Sequence, residues 1–208
     1  MEIKELFEQY RDMYAKKYVP GTSKLPRSLG DRQDTIGRLA ALYDLAVKER
    51  GHDMQWDDNT KGNIEQVAEW LLECPQRGLL LYGSLGNGKS TMLRTIHRLM
   101  SGNSYLITAK MAYDRFKESE RLTFPRDSVL LVDDLGAEPE RCLVYGEEHH
   151  PLTDLLLQRY DQNATTIIAT NLTVDALRQR YGDRLFDRFS EMYVAILYNA
   201  PSYRTQKQ

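Results

Sequence analysis
Cysteine is almost missing from this chain. Cys74 and Cys142 are the only two in 208 residues, too few for a disulfide scaffold and without the paired spacing of a zinc site, so both are expected as free thiols. Long apolar runs are missing too: no stretch approaches the roughly 20 residues that cross a bilayer. The opening Met1-Glu2-Ile3-Lys4-Glu5 is unlike a secretion signal. The expected place is the cytoplasm, with no membrane partner. An excess of one charge sign is missing as well, because 28 basic residues against 30 acidic ones leave a formal charge of −2. Nothing pulls the whole molecule toward nucleic acid, and any such contact must be local. Internal repeats and low-complexity tracts are also absent. What remains, 41% hydrophobic and 28% charged, is ordinary for a soluble globular protein with one main domain.

Against that background one octapeptide stands out. Gly83-Ser84-Leu85-Gly86-Asn87-Gly88-Lys89-Ser90 has the full spacing of a phosphate-binding loop. Upstream, Gly78-Leu79-Leu80-Leu81-Tyr82 reads as a buried strand; downstream, Met92, Leu93, Ile96, Leu99 and Met100 recur at helical spacing. The glycines at 83, 86 and 88 let the backbone wrap closely and turn its N–H groups toward a polyanion at the helix N-terminus. Lys89 would reach the β- and γ-phosphates of ATP and the Ser90 hydroxyl would ligate Mg²⁺, while Asn87 and Thr91 complete the set expected around ATP or ADP.

Residues 1–60 are polar, with Leu6, Tyr10 and Tyr14 at helical intervals, a Pro20-Gly21 break and a second helical pattern from Thr35 to about Glu49. They read as a helical N-terminal accessory segment. Residues 61–208 follow an α/β pattern, beginning with a helix whose Ile64, Val67, Ala68 and Leu71 share a face. Strands are expected near 105–108, 128–133, 165–170 and 193–197, with helices between them. Five apolar strands with helical crossovers predict an α/β three-layer sandwich around a mostly parallel sheet.

A phosphate loop needs a partner for its metal. Ser128-Val129-Leu130-Leu131-Val132 is a buried-strand run that ends in Asp133 and Asp134. At the carboxyl end of a central strand, Asp133 could hold Mg²⁺ or its water shell, and Asp134 could orient or deprotonate the attacking water. The next strand ends in Asn171, whose amide both donates and accepts and so suits sensing a γ-phosphate. A helix capped by Thr173 and stopped at Gly182 is followed by Asp183-Arg184-Leu185-Phe186-Asp187-Arg188-Phe189. There Arg184 and Arg188 share one stripe, either as surface cations bridged to Asp183 or Asp187 or as an arginine finger offered to a neighbouring subunit's nucleotide.

Taken in this order, the phosphate loop, Asp133-Asp134-Leu135-Gly136, Ala169-Thr170-Asn171-Leu172 and Gly182-Asp183-Arg184 through Arg188 resemble the AAA+ ATPases of the DnaC/DnaI helicase-loader and IstB group. The likeness covers about residues 60 to 205 and extends to the tail Asn199-Ala200-Pro201-Ser202-Tyr203-Arg204. It implies a P-loop NTPase of AAA+ type with sheet order 5-1-4-3-2 and no separate helical lid domain. By position it implies Walker A roles for Gly83, Gly88, Lys89 and Ser90, and Walker B roles for Asp133 and Asp134. Asn171 matches sensor 1, Arg188 the finger with Arg184 beside it, and Arg204 the sensor 2 arginine. Asp134 departs from the Glu that many AAA+ proteins carry there, and the N-terminal segment is shorter than a loader's helicase-gripping domain.

The same resemblance implies a homo-oligomer on DNA, with single-stranded DNA favoured, and a replicative helicase as partner or, in an IstB-like regulator, a transposase. Residues 108–117, with Lys110, Tyr113, Arg115, Phe116 and Lys117, mix cations with aromatics as a DNA-contacting surface would, although Met111, Tyr113 and Phe116 also fit a partial core. The acidic stretch from Glu138 to Asp154, including His149 and His150, reads as a solvent-exposed loop rather than a metal site. A P-loop small-molecule kinase is the alternative enzyme class, against which the acid pair, Asn171 and the late arginines speak. A nucleotide-gated binding module without hydrolysis is the third.

Overall fold
The computed structural model describes residues 30–73, 78–100, 102–200 and 202–203. The pattern of Leu6, Tyr10 and Tyr14, the thiol Cys74 and the candidate Arg204 lie outside the described residues. Helix α1 (Arg32–Lys48) starts where Asp31 accepts a 2.8 Å hydrogen bond from the Asp34 amide, a side-chain cap. Asp57 does the same for the Thr60 amide at 2.7 Å as α2 (Asp58–Glu73) begins. Then come β1 (Gly78–Gly83), α3 (Lys89–Leu99), β2 (Ser104–Thr108), α4 (Ala109–Ser119) and β3 (Val129–Leu135). The short strands β4 (Cys142–Val144) and β5 (Glu147–His149) precede α5 (Pro151–Asp161), β6 (Thr166–Thr170), α6 (Val174–Met192) and β7 (Tyr193–Tyr198).

Five strands form one parallel sheet in the order β2-β3-β6-β1-β7. Counted along the chain as strands of this sheet alone, that is the 5-1-4-3-2 order expected, and among the described residues no helical domain follows β7. Side chains alternate across a strand, so a run that is apolar at every position feeds both faces. Leu79 and Leu81 of β1, Leu131 of β3 and Ile167 and Ala169 of β6 join one cluster with α1, α2 and α3. Leu80, Leu130, Val132 and Ile168 join the other with α4, α5 and α6. Each fully buried leucine contributes about 1.5–3 kcal/mol, and the three layers follow from that two-sided demand.

The structure adds to two expectations. Within the segment expected as accessory, Ile36, Leu39, Leu42 and Tyr43 of α1 lie in the same cluster as Leu81, Met92 and Ile196. Helix α1 is an integral part of the sandwich. Its polar flanks hid this, since an apolar helical stripe does not say which surface it packs against. The acidic stretch after β3 is likewise more than a loop: β4 and β5 pair antiparallel through a two-residue turn at Tyr145 (φ 50°) and Gly146 (φ 89°), the twist-matched hairpin geometry. Three-residue strands carry too little alternation to be read from sequence.

Replacing Leu39 by Ala tests the place of α1. Urea denaturation is expected to show a loss of about 3 kcal/mol, as for a fully buried leucine; a change below about 0.5 kcal/mol, typical of a surface site, would return α1 to an appendage.

Candidate functional site
The loop after β1 is built on close approach. Gly83 has φ 134°, and a Cβ there would sit 2.1 Å from the carbonyl oxygen of Tyr198 in the neighbouring β7. Gly88, at φ 95°, serves as N-cap of α3 with no side-chain cap, and a helix N-terminus of this kind is a ready place for an anion. Lys89 is the first helical residue and only 5% exposed. Its Nζ donates to Gly83 O at 2.9 Å, Ser84 O at 2.7 Å and Asn87 Oδ1 at 3.1 Å. The Asn87 amide donates to Ser84 Oγ at 3.3 Å and to the Tyr198 carbonyl, which ties the loop to β7.

Opposite the loop stand the two acids. The β3–β6 pairing shifts register between Val132 and Leu135, and Asp134 has φ 54°, so the strand does not end at the acids as expected but runs through a bulge. In a regular strand two successive side chains point to opposite faces; the bulge re-aims one, so that Asp134 lines the cleft while the buried Asp133 meets Ser90 behind it. Ser90 Oγ donates to Asp133 Oδ1 at 2.9 Å, as does the Asp134 amide at 3.0 Å. Burial raises the pKa of Asp133; the Ser90 hydrogen bond opposes this and the Asp134 charge adds to it. Asp134 is exposed, and Asn171 Nδ2 donates to its Oδ1 at 3.4 Å.

These groups border a cleft of about 540 Å³ lined by Gly86 through Thr91, Asp134 and Asn171. Its other wall went unread in the sequence. Tyr43, Arg50, His52, Asp53 and Thr60 line it, as does Tyr203 from the tail. The Tyr203 amide donates to Gly86 O at 3.0 Å, and its phenol donates to Asp57 Oδ2 at 2.7 Å and lies 3.2 Å from Thr60 Oγ1. Burial, with Asp57 beside it, pushes that phenol up to about 12. Arg50 Nη1 donates to Thr91 Oγ1 at 3.2 Å. A signal existed for Tyr203, which adjoins the tail arginine; none existed for residues 43–60, which match no motif.

Other candidates lie elsewhere. Neither Arg184 nor Arg188 lines the cleft. Arg184 is exposed, whereas the Arg188 guanidinium stacks 4.8 Å from the Tyr160 ring centre and lies 3.5 Å from Glu191. On α4, Met111 is 58% exposed rather than part of the core, and Lys110 pairs with Asp114 at 3.2 Å. Glu138 is buried, contrary to the exposed loop expected. No group of three or more His, Cys, Asp or Glu converges as a metal site among the described residues. Nor is any described helix long and apolar enough to cross a membrane.

No family model matches the sequence, and no curated protein does. Solved structures do. A candidate primosome component from Streptococcus pyogenes serotype M3 aligns with TM-score 0.52 at 18% identity, over 71% of this chain and 82% of that one. AMPPCP-bound DnaA from Aquifex aeolicus gives 0.51 at 16% identity, over 73% of this chain and 50% of that one. The fold is that of the AAA+ P-loop ATPases. The replication initiator DnaA bound to AMPPCP and single-stranded DNA gives 0.50 at 15% identity, over 70% of this chain and 48% of that one. The chain thus spans about half the length of these two DnaA structures. At such identities the likeness is one of AAA+ fold.

Gly83→Ala tests the close approach of β1 to β7. With φ 134° and the Tyr198 oxygen in the way, thermal unfolding is expected to show a loss above about 1 kcal/mol; an unchanged midpoint would mean the loop does not need glycine there.

Proposed function
We propose that this chain is an ATP-binding and ATP-hydrolysing AAA+ accessory protein of DNA replication, of the DnaC loader type, acting as a homo-oligomer on DNA. One observation carries the reading: a buried lysine at the N-terminus of α3, which no side chain caps, with a hydroxyl-to-carboxylate bond from Ser90 to Asp133 beside it. Uncapped helix amides and an ammonium in one hollow suit a polyanion. The carbonyls that hold Lys89 Nζ are weaker partners than phosphate oxygens, so a triphosphate would draw the ammonium outward, with Gly86 to Thr91 wrapped round it.

Ser90 and Asp133 fit Mg²⁺, since a hydroxyl and a carboxylate are hard oxygen donors that converge from separate elements. The ion would screen charge on the β- and γ-phosphates. Asp134, exposed to the cleft and held by Asn171, would take the proton of the attacking water on a carboxylate oxygen while Asn171 keeps that carboxyl oriented. Tyr43, Arg50, His52 and Tyr203 would enclose the remainder of the nucleotide. Arg184 and Arg188 are absent from the protomer's own cleft, so they would act on a neighbour's nucleotide, with Arg184 the more open of the two. Weak hydrolysis before assembly follows. Single-stranded DNA is supported as partner by the fold shared with the DNA-bound initiator; α4, with exposed Lys110, Arg115 and Lys117, offers the local cations. A replicative helicase or a transposase would be the protein cargo.

Lys89→Ala is expected to weaken ATP binding ~100-fold in calorimetric titration, given about 1.5–3 kcal/mol per charge-assisted bond; undiminished affinity would refute the site. Arg184→Ala and Arg188→Ala should each bind an ATP analogue normally, and at least one should lose ~100-fold or more of the hydrolysis stimulated by assembly. If wild-type hydrolysis per subunit stays constant as concentration rises or DNA is added, the shared-site reading fails.

A further inference from the structure
Just past the two acids the chain makes a second, largely buried connection that the proposed nucleotide site does not use. Glu138 is 5% exposed. One of its carboxyl oxygens accepts from the Gly136 amide at 2.9 Å, and the other accepts from the Tyr181 hydroxyl. Its backbone carbonyl accepts from Arg180, whose guanidinium also stands 3.6 Å from the Glu138 carboxyl and 5.7 Å from the Tyr181 ring centre. Burial and the adjoining Glu138 raise the Tyr181 phenol far above its usual range, so it stays a hydrogen-bond donor. On the other side Thr170 donates to Leu135 O at 2.6 Å, fastening the same segment to the end of β6 one residue before Asn171. The Ala137 amide returns to Asp134 O at 3.0 Å. From Asp134 to Glu138 the backbone is therefore a closed turn, clamped to β6 at one side and to α6 at the other.

The α6 clamp falls at a break. Tyr181 immediately precedes Gly182, whose φ 80° and ψ 161° interrupt the helix. A Cβ at Gly182 would meet nothing within 4 Å, so the glycine answers a need of the backbone and not of packing. Hinges are short segments at element ends that absorb such angles. Ahead of the break, Arg180 and Tyr181 are held by Glu138; beyond it lie Arg184 and Arg188. Any shift of the Asp134 turn must either break buried hydrogen bonds, which is costly, or carry the end of the first half of α6 with it and turn the second half about Gly182.

We propose that Glu138 is a positioning residue that couples the state of Asp134 in one subunit's nucleotide site to the placement of the Arg184–Arg188 segment, which faces the next subunit. The coupling rests on the proposed nucleotide site. Its physical content is one rigid link, Asp134 to Glu138 to Tyr181, acting on one hinge, Gly182.

The test uses the full chain with AMPPCP, following hydrogen exchange of amides 183–189 together with analogue affinity. In the unmodified protein the analogue is expected to change exchange in that segment at least ~5-fold. Tyr181→Phe and Glu138→Gln should bind AMPPCP within about 2-fold of the original, lose that exchange response, and show single-turnover hydrolysis at high protein concentration reduced ~10-fold. A merely structural role would raise exchange throughout α6 with or without nucleotide. Should Glu138→Gln not fold, Tyr181→Phe, which removes a single oxygen, carries the test. Variants that respond like the original, or an original that binds AMPPCP with no change at 183–189, would overturn the coupling alone. Absence of AMPPCP binding by the original would overturn the nucleotide site and the coupling with it.

Discussion
A lysine ammonium held out of water at the start of a helix is the constraint around which this molecule is arranged. Removing a charge from water is expensive unless hydrogen bonds replace its solvent, and Lys89 Nζ is surrounded by the oxygens of Gly83, Ser84 and Asn87. Those oxygens are in place only because the loop is folded back on itself, and the loop keeps that shape because β1 runs between β6 and β7. The Tyr198 carbonyl of β7 receives the Asn87 amide, while β6 delivers Asn171 from the other side. Strand order is thus a condition of the site. A ligand crevice outside the carboxyl ends of parallel strands is the general consequence of such a sheet.

The second wall of that crevice comes from the ends of the described chain. Helix α1 packs against the face of the sheet that carries α3 and places Tyr43 so near Gly88 that a Cβ there would lie 2.2 Å from the phenol oxygen. Tyr203 crosses from behind the last strand to bond Gly86, Asp57 and Thr60. Segments some 140 residues apart in sequence are joined at one tyrosine side chain. The cleft therefore exists only in the folded core and depends on burial of α1, which links stability to any ligand that occupies it.

The cleft half of the fold was legible because rare local patterns mark it. Gly83 to Ser90 needs small residues where the backbone approaches β7, and the Leu130-Leu131-Val132 run needs apolar side chains on both faces before the acids. Thr173 was legible as a cap and Gly182 as a stop, since both act on their own neighbours. The bulge at Asp134 was not, because a left-handed aspartate is allowed but not signalled by its neighbours. Glu138 also escaped: a carboxyl amid acidic loop residues reads as solvated until Tyr181, 43 positions later, is found against it. Met111 failed in the opposite sense, since helical spacing names a stripe without saying whether anything covers it.

By itself the sequence determined the glycine-rich loop, the strand that feeds it, the acid pair, the polar end of the next strand and the α/β alternation, all of which follow from local spacing, capping and side-chain period. Tertiary structure alone decided that α1 belongs to the core, that Tyr43, Arg50 and Tyr203 wall the cleft, that Arg188 lies on Tyr160, and that Glu138 joins the acid turn to α6 beside its break at Gly182. The reason is range. Backbone geometry and periodicity are written within a few residues, whereas burial and partnership are set by which distant surfaces the sheet order brings together.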